Sequence, residues 1–530
     1  MAKLFRGPKA LCTKCMLLHS SIGNYIKKTF EPQSHWNDSR NIWSWSRKKN
    51  LKYTSPASFH YSSQSTDDDM TIEDDVLDNK ETDNFLRQYH RIPNTGHRLF
   101  VIHPAIRYGP DKPKLTTPEL EMDEACALVN TLQNWKVVEK RIIKVDSQKT
   151  KQIFGPTKFV ELAGEVINKK TVTAVFLNVS RLKSIQITEF QQHWRVPVFD
   201  RYSIILQIFK EHAHTKISKL QVALAEIPYI RGRLDEIHMG KEDKQTGHTD
   251  LVGGTEQKSV HIRKEMLRER EAKLKKALAK VQQHREMLRS SRKKKELPTV
   301  AVVGYTNSGK TTLIKALTGD EKMIPENHLF ATLDVTAHGG LLPNKMTVIY
   351  VDTVGFIANL HHKLIDAFSA TLEDALVADV VIHLRDISHP DTENQKVNVL
   401  KTLSDKLSED QMRNIIEVCN KADKVPVDAV INVEFPVSAV TGQGLDKLLN
   451  KIQQKMFEDG TVYMEKKFKI PSSGDHLSWL CQEAQEQDIQ TDSDGNLIVS
   501  VIITRTAYQK FKSKFQKERS KEGTTNFMER

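Results

Sequence analysis

The apolar positions of the chain change rhythm several times, and each change predicts an element. Leu99, Phe100, Val101 and Ile102 form a short unbroken apolar run of the kind that makes a buried strand, and Pro104 is expected to end it in a turn. Helical spacing over 118–134, a strand-like stretch over 135–145 and brief apolar runs at 174–178 and 196–199 continue the alternation. That alternation predicts a small N-terminal α/β domain over 98–200. From 201 to about 230, Ile204, Ile205, Ile208, Phe209, Leu220, Leu224 and Ile227 recur at helical spacing, so a long amphipathic helix or a helix pair is expected. Over 257–294 the period becomes seven, with Val260, Leu267, Leu274, Val281 and Leu288 forming a narrow seam that needs a partner helix. Together these predict a long antiparallel helical hairpin over 201–297. Val300 to Val303 then reads as a buried strand, and strands alternate with helices as far as about Phe457, a second α/β domain over 298–458. A strand ending at Ile470, a helix over 476–485, a turn at Asp494 and Gly495 before a strand over 497–504, and a basic helix from Tyr508 predict a small C-terminal α/β module over 459–530. The expected fold class is α/β and multidomain.

Composition changes this picture at three places. The chain of 530 residues carries a formal net charge of +12, and fifteen Lys and Arg against five Glu fall between Lys258 and Glu296. Such an excess on one element suits contact with nucleic-acid phosphates; a solvated helix face is the plainer alternative. Residues 1–60 contain eleven Lys and Arg, with Glu31 and Asp38 their only acids, and the apolar stretch of Leu17, Leu18 and Ile22 is broken by His19, Ser20 and Ser21. This is the composition of a mitochondrial targeting segment rather than a secretory signal. Nine acidic residues between Asp67 and Asp83 make 61–97 an acidic disordered linker, since it cannot bury enough apolar area to offset its chain entropy. No run of eighteen apolar residues occurs, so no helix is expected to span a membrane. The five cysteines are too scattered for a disulfide framework, and Cys12 and Cys15 lack a second ligand pair for zinc. The expected setting is the reducing mitochondrial matrix, and the expected state a monomer.

The chemistry concentrates between Gly304 and Thr441. Gly304, Tyr305, Thr306, Asn307, Ser308, Gly309, Lys310 and Thr311 match the P-loop pattern between an apolar strand and a helix. Loop amides and the helix N-terminus would cradle the β-phosphate, Lys310 would reach the β- and γ-phosphates, and Thr311 would give its hydroxyl to Mg²⁺. Asp352, Thr353, Val354 and Gly355 follow the apolar run 348–351, where the carboxylate can hold Mg²⁺ through water and the Gly355 N–H can sense the γ-phosphate. Before it, Phe330, Ala331, Thr332, Leu333 and Asp334 offer Thr332 as the hydroxyl that closes on the metal when the γ-phosphate is present. Asn420, Lys421, Ala422 and Asp423 follow the run 415–419 at a strand's C-terminal end. There the Asp423 carboxylate would accept two hydrogen bonds from guanine, a pair that adenine does not offer. Ser438, Ala439 and Val440 would bring the Ala439 N–H to guanine O6. In this order the elements predict a GTP/GDP site with Mg²⁺, in which Lys310, Thr332 and Gly355 are the catalytic candidates. Phe356 stands where many GTPases place a water-orienting Gln, so hydrolysis is expected to be slow until a cation or partner completes the site. Asn307 is a candidate ligand for K⁺.

These residues resemble the HflX family of ribosome-associated GTPases, most closely its mitochondrial members. The resemblance is carried by the segments 330–334, 352–357 and 367–373, and upstream by 198–201, 204–209, 220–225, Tyr229, Arg233 and Leu234. It spans about 98–460. Two departures stand out: Gly253-Gly254-Thr255-Glu256 replaces a Gly-Pro-Gly-Glu core, and Gly155-Pro156-Thr157-Lys158 replaces a glycine-rich loop, so ATP binding there is not carried over. The resemblance implies binding to the mitochondrial large ribosomal subunit and its rRNA near the catalytic centre, with the hairpin intruding to split or recycle subunits. A late assembly role on that subunit, or a GTPase switch off the ribosome, are the alternatives.

Overall fold

The computed structural model describes residues 60–61 and 96–519, apart from 111, 243–252, 295–296, 327, 361–363, 365–377, 427–432, 459–462, 473–474 and 493–494. The targeting segment before His60, nearly all of the acidic linker, the hairpin tip, the 367–373 segment, Asp494 and the end of the chain lie outside the described residues. At the linker boundary β1 (His60–Tyr61) pairs antiparallel with His338 and Ala337, so the last residue of the expected targeting segment and the first of the expected linker join a sheet edge.

An N-terminal sheet follows, built from β2 (Arg98–Ile106), α1 (Pro118–Thr131), β3 (Lys136–Val145), α2 (Pro156–Asn168), β4 (Ala174–Leu177), α3 (Ser184–Trp194) and β5 (Val198–Phe199). Its order is β3-β2-β4-β5, all parallel, and residues 99–105 of the central β2 are buried without a break, as a strand covered on both faces requires. Alternate residues serve different cores: Leu99 and Val101 face α1, while Phe100 and Ile102 join a core with residues of α2 and α3. The expected turn at Pro104 is corrected, since β2 runs through it to Ile106. Pro104 pairs only with β3, because β4 stops opposite Ile102, and a strand with one neighbour tolerates a missing N–H. The α1 helix starts from Thr117, whose hydroxyl accepts the Leu120 N–H, with Pro118 and two acids in the first turn. The 155–158 segment is the start of α2, with Gly155 at its N-cap and no side-chain cap, not a loop of its own.

Two helices, α4 (Arg201–His212) and α5 (Lys216–Glu242), resolve the expected helix pair. Eight of the twelve residues of α4 are buried, including Arg201 and Ser203, and Asp200 caps it through the Ser203 N–H at 2.8 Å. The 42-residue α6 (Gly253–Lys294), about 63 Å long at 1.5 Å per residue, packs against α5. Leu267 and Leu274 of the seven-residue seam are buried, Val281 is half-buried, and Arg231 of α5 pairs with Glu271 at 2.7 Å.

The second sheet contains β6 (Thr299–Gly304), β7 (Thr336–Leu341), β8 (Thr347–Asp352), β9 (Val380–Asp386) and β10 (Ile415–Asn420) in the order β1-β7-β8-β6-β9-β10. Strands β8, β6, β9 and β10 are parallel, and β7 is antiparallel to β8. The intervening helices are α7 (Lys310–Thr318), α8 (Thr392–Ser404), α9 (Glu409–Arg413) and α10 (Leu445–Glu458). The chain continues as β11 (Tyr463–Ile470), α11 (His476–Glu483), β12 (Gln485–Thr491), β13 (Leu497–Thr504) and α12 (Arg505–Arg519), with antiparallel order β11-β13-β12. One face of this sheet buries Phe468 with Phe511 and Phe515 of α12, and Tyr463 and Ile502 join the core of the second sheet.

Candidate nucleotide site

The functional side chains sit at the C-terminal ends of β6, β8 and β10, where a parallel sheet leaves its loops open to a ligand. Gly309 is in the left-handed region at φ +92°, and a Cβ there would stand 2.4 Å from Asn420 Nδ2, so only glycine fits this turn into α7. Asn307 also adopts φ +60°. The Lys310 ammonium is buried and donates to the carbonyls of Tyr305 at 3.0 Å and Gly304 at 3.4 Å. Burial drags its pKa down to about 8, with Asp352 opposing the shift. Gly355 packs directly on this loop: a Cβ there would lie 2.8 Å from Thr306 Cα and 3.1 Å from Lys310 Nζ.

Three oxygens converge beside the lysine. Thr311 Oγ1 donates to Asp352 Oδ2 at 2.6 Å, Thr332 Oγ1 reaches the same oxygen at 3.3 Å, and the two hydroxyls are 3.0 Å apart. Asp352 Oδ1 is buried without a partner among the described residues, and burial raises the carboxyl's pKa against the pull of Lys310 and the two threonines. Two hydroxyls and one carboxylate, all oxygen and beside a phosphate cradle, fit the donor set Mg²⁺ prefers. No cluster of three His, Cys, Asp or Glu suited to a transition metal occurs among the described residues.

The third element is tied mechanically to the first. Asn420 Nδ2 donates to the Ser308 carbonyl at 2.9 Å, and its Oδ1 accepts the Ala439 N–H at 3.1 Å. Lys421 Nζ bridges the Asn307 carbonyl at 2.9 Å and Asp386 at 2.7 Å. Asp423 is exposed, one of its oxygens accepting from Ser438 Oγ at 2.6 Å. Ala422 and Ala439 are buried and Val440 is 79% exposed.

Several expected ligand residues turn their side chains elsewhere. Phe330, Ala331 and Thr332 line the cleft, but Leu333 is buried in the core and Asp334 accepts from Thr215 Oγ1 at 2.5 Å. The Thr353 hydroxyl donates to the Val302 carbonyl at 2.7 Å, Val354 packs on the core, and the Tyr305 hydroxyl donates to Glu124. The side chains of Leu333, Asp334, Thr353, Val354 and Tyr305 are therefore engaged within the protein. Sequence reading also missed Asp386, and with it Glu124, Arg201, Phe209 and Thr215, which reach the site from more than a hundred residues upstream. No local motif marks them.

This arrangement of phosphate cradle, metal donors and base loop has matches along the chain. A family model described as "50S ribosome-binding GTPase" matches residues 299–421. The models "GTP-binding GTPase Middle Region" and "GTP-binding GTPase N-terminal" match 212–292 and 119–210. The protein is a P-loop GTPase. It is 44% identical to GTP-binding protein 6 of Xenopus laevis, over 79% of this chain and 80% of that protein. It is 36% identical to the GTPase HflX of Caldanaerobacter subterraneus, over 61% and 75% of the two chains. The chain belongs to the HflX family of GTPases. A solved GTP-binding protein from Sulfolobus solfataricus in complex with GDP overlaps 68% of this chain and 99% of its own at 23% identity, with a TM-score of 0.35.

Proposed function

We propose that this GTPase acts on the mitochondrial large ribosomal subunit, using the α5–α6 hairpin to contact rRNA and the nucleotide state to time binding and release. The observation that carries this reading is the path from the hairpin to the site. Thr215, immediately before α5, donates its hydroxyl and N–H to Asp334, and Phe209 of α4 packs edge-on against Phe330 at 4.8 Å. The segment that carries Thr332 is thereby joined to the start of α5, which packs along α6, the helix that holds most of the fifteen Lys and Arg against five Glu of 258–296. A change at Thr332 on GTP binding or hydrolysis then alters how the hairpin is held, and phosphate contact at the hairpin alters Thr332 by the same coupling. The basic composition of residues 1–60 supports import into the mitochondrion.

At the site, Thr311 and Thr332 would hold Mg²⁺ directly and Asp352 through water. When bound there, Mg²⁺ would supply positive charge against the phosphate oxygens. Lys310 and the loop amides orient the phosphates, the Gly355 N–H faces the γ-phosphate, and Asp423 selects guanine with the Ala439 N–H. Asn307 remains a candidate K⁺ ligand, and equal turnover in K⁺ and Na⁺ buffers removes that role. Cosedimentation with purified mitochondrial subunits in GTP, GDP or a non-hydrolysable analogue tests the whole reading. Nucleotide-dependent pelleting with large subunits is expected, and protein that stays off every ribosomal fraction overturns it. The second reading, a late assembly factor that holds an immature subunit in the GTP form, predicts that a hydrolysis-deficient variant still matures subunits but remains bound.

A further inference from the structure

The segment after Gly355 is held from two sides, and one side belongs to the N-terminal domain. Phe356 pairs with the P-loop like a strand: its N–H donates to the Gly304 carbonyl at 3.0 Å and its carbonyl accepts the Thr306 N–H at 2.7 Å. Two residues on, both main-chain groups of Ala358 are engaged by side chains. Its N–H donates to the Tyr305 hydroxyl at 2.7 Å, and its carbonyl accepts from Arg201 Nη2 at 2.9 Å. Glu124 of α1 closes the loop by accepting from Arg201 at 2.6 Å and from the Tyr305 hydroxyl. Arg201 and Tyr305 are 3% and 4% exposed, so both side chains of the clamp are held in the protein interior. Burial and the Glu124 charge hold the Tyr305 pKa well above its usual value, so the hydroxyl keeps the proton it donates.

We propose that Glu124 and Arg201 are positioning residues for GTP hydrolysis, which fix Ala358, Arg201 directly and Glu124 through Tyr305, and so set where the Gly355 N–H stands over the P-loop. Arg201 also donates to Asn178 Oδ1 at 3.1 Å, which anchors it to the end of β4 and makes the position of Gly355 depend on the seating of the N-terminal domain. The clamp matters here because Phe356 has no polar group to orient water, which leaves the main-chain geometry of this turn to define the γ-phosphate site. The role rests on the nucleotide-site reading above, and the test separates the two.

Single-turnover GTP hydrolysis and GDP affinity are to be measured for the full chain and for Arg201→Lys, Tyr305→Phe, the double variant and Lys310→Ala. A misplacement of about 1 Å remote from the chemistry can cost roughly a hundredfold in rate. Arg201→Lys and Tyr305→Phe should each slow hydrolysis by about ten- to a hundredfold while leaving GDP affinity within about threefold. The double variant should be no slower than the slower single one, because both break the same clamp. Tyr305→Phe removes one oxygen and keeps the ring, so it stays informative if Arg201→Lys folds poorly. Wild-type hydrolysis rates in folded Arg201→Lys and Tyr305→Phe overturn the proposal, as does a loss of GDP affinity that matches the loss of rate. Retention of GDP by Lys310→Ala overturns the site reading instead, whatever the clamp variants do.

Discussion

Replacing Asn420 by alanine removes one side chain that is 2% exposed and bonded at both ends. Its amide nitrogen holds the Ser308 carbonyl at 2.9 Å, and its oxygen holds the Ala439 N–H at 3.1 Å. The truncation leaves a carbonyl and an N–H without partners in a site too tight for water to enter freely. Each orphaned group costs about 1–3 kcal/mol, so the pair costs roughly 2–6 kcal/mol. The lower end alone is about thirtyfold in affinity if it falls on nucleotide binding. It should fall there, because the two lost bonds join the phosphate loop to the loop that presents the Ala439 N–H to the base. Isothermal titration with GDP in Mg²⁺ buffer, alongside thermal unfolding, measures how the cost divides. Asn420→Asp keeps the acceptor for Ala439 but sets a carboxylate against the Ser308 carbonyl, so it should bind no better than the alanine variant. GDP affinity within threefold of wild type for Asn420→Ala, with an unchanged melting temperature, would show that this side chain does not couple the two loops.

Three further outcomes follow from the same geometry. Asp423→Asn replaces one acceptor oxygen by a donor facing the guanine amine, and competition between GTP and other purine nucleotides should show guanine preference falling by about 1–3 kcal/mol, or roughly five- to 150-fold. Thr215→Val strips the hydroxyl that Asp334 accepts and should slow hydrolysis more than it weakens GDP binding, since GDP does not need Thr332; equal losses in both assays would refute the link. Lys310 has a folded pKa of about 8 against 10.5 when exposed, so its buried charge destabilises the nucleotide-free fold below pH 8, and that burden lifts as pH rises from 8 towards 10.5. The difference is worth at most roughly 3 kcal/mol, so Lys310→Met should resist urea better than wild type at pH 7 without nucleotide, the gain shrinking above pH 8. A less stable methionine variant at pH 7 would contradict this.

The expected phosphate, metal and base elements could be read from sequence because each is a short run of residues placed by the strand before it. The buried run 300–303 ends at Gly304, 348–351 at Asp352 and 415–419 at Asn420, and parallel strands bring such ends together on one edge. The seven-residue seam from Leu267 to Val281 was legible for a similar reason, since a helix repeats its own face locally. The irregular 330–334 segment was less legible, because it turns at Phe330 (φ +57°) and has no period that tells which of its side chains enter the core, as Leu333 does, or bond Thr215, as Asp334 does.

What the sequence determined by itself is therefore the local chemistry: a glycine that can turn at 309, a lysine at the mouth of the next helix, and an Asn and Asp three apart behind an apolar strand. What only the tertiary structure decided is which distant groups restrain that chemistry. Arg201, Glu124 and Tyr305 are separated by 77 and 181 residues from their contacts across the network. Such pairings depend on how two sheets and a buried helix dock, a property of the packed surfaces that no spacing along the chain encodes.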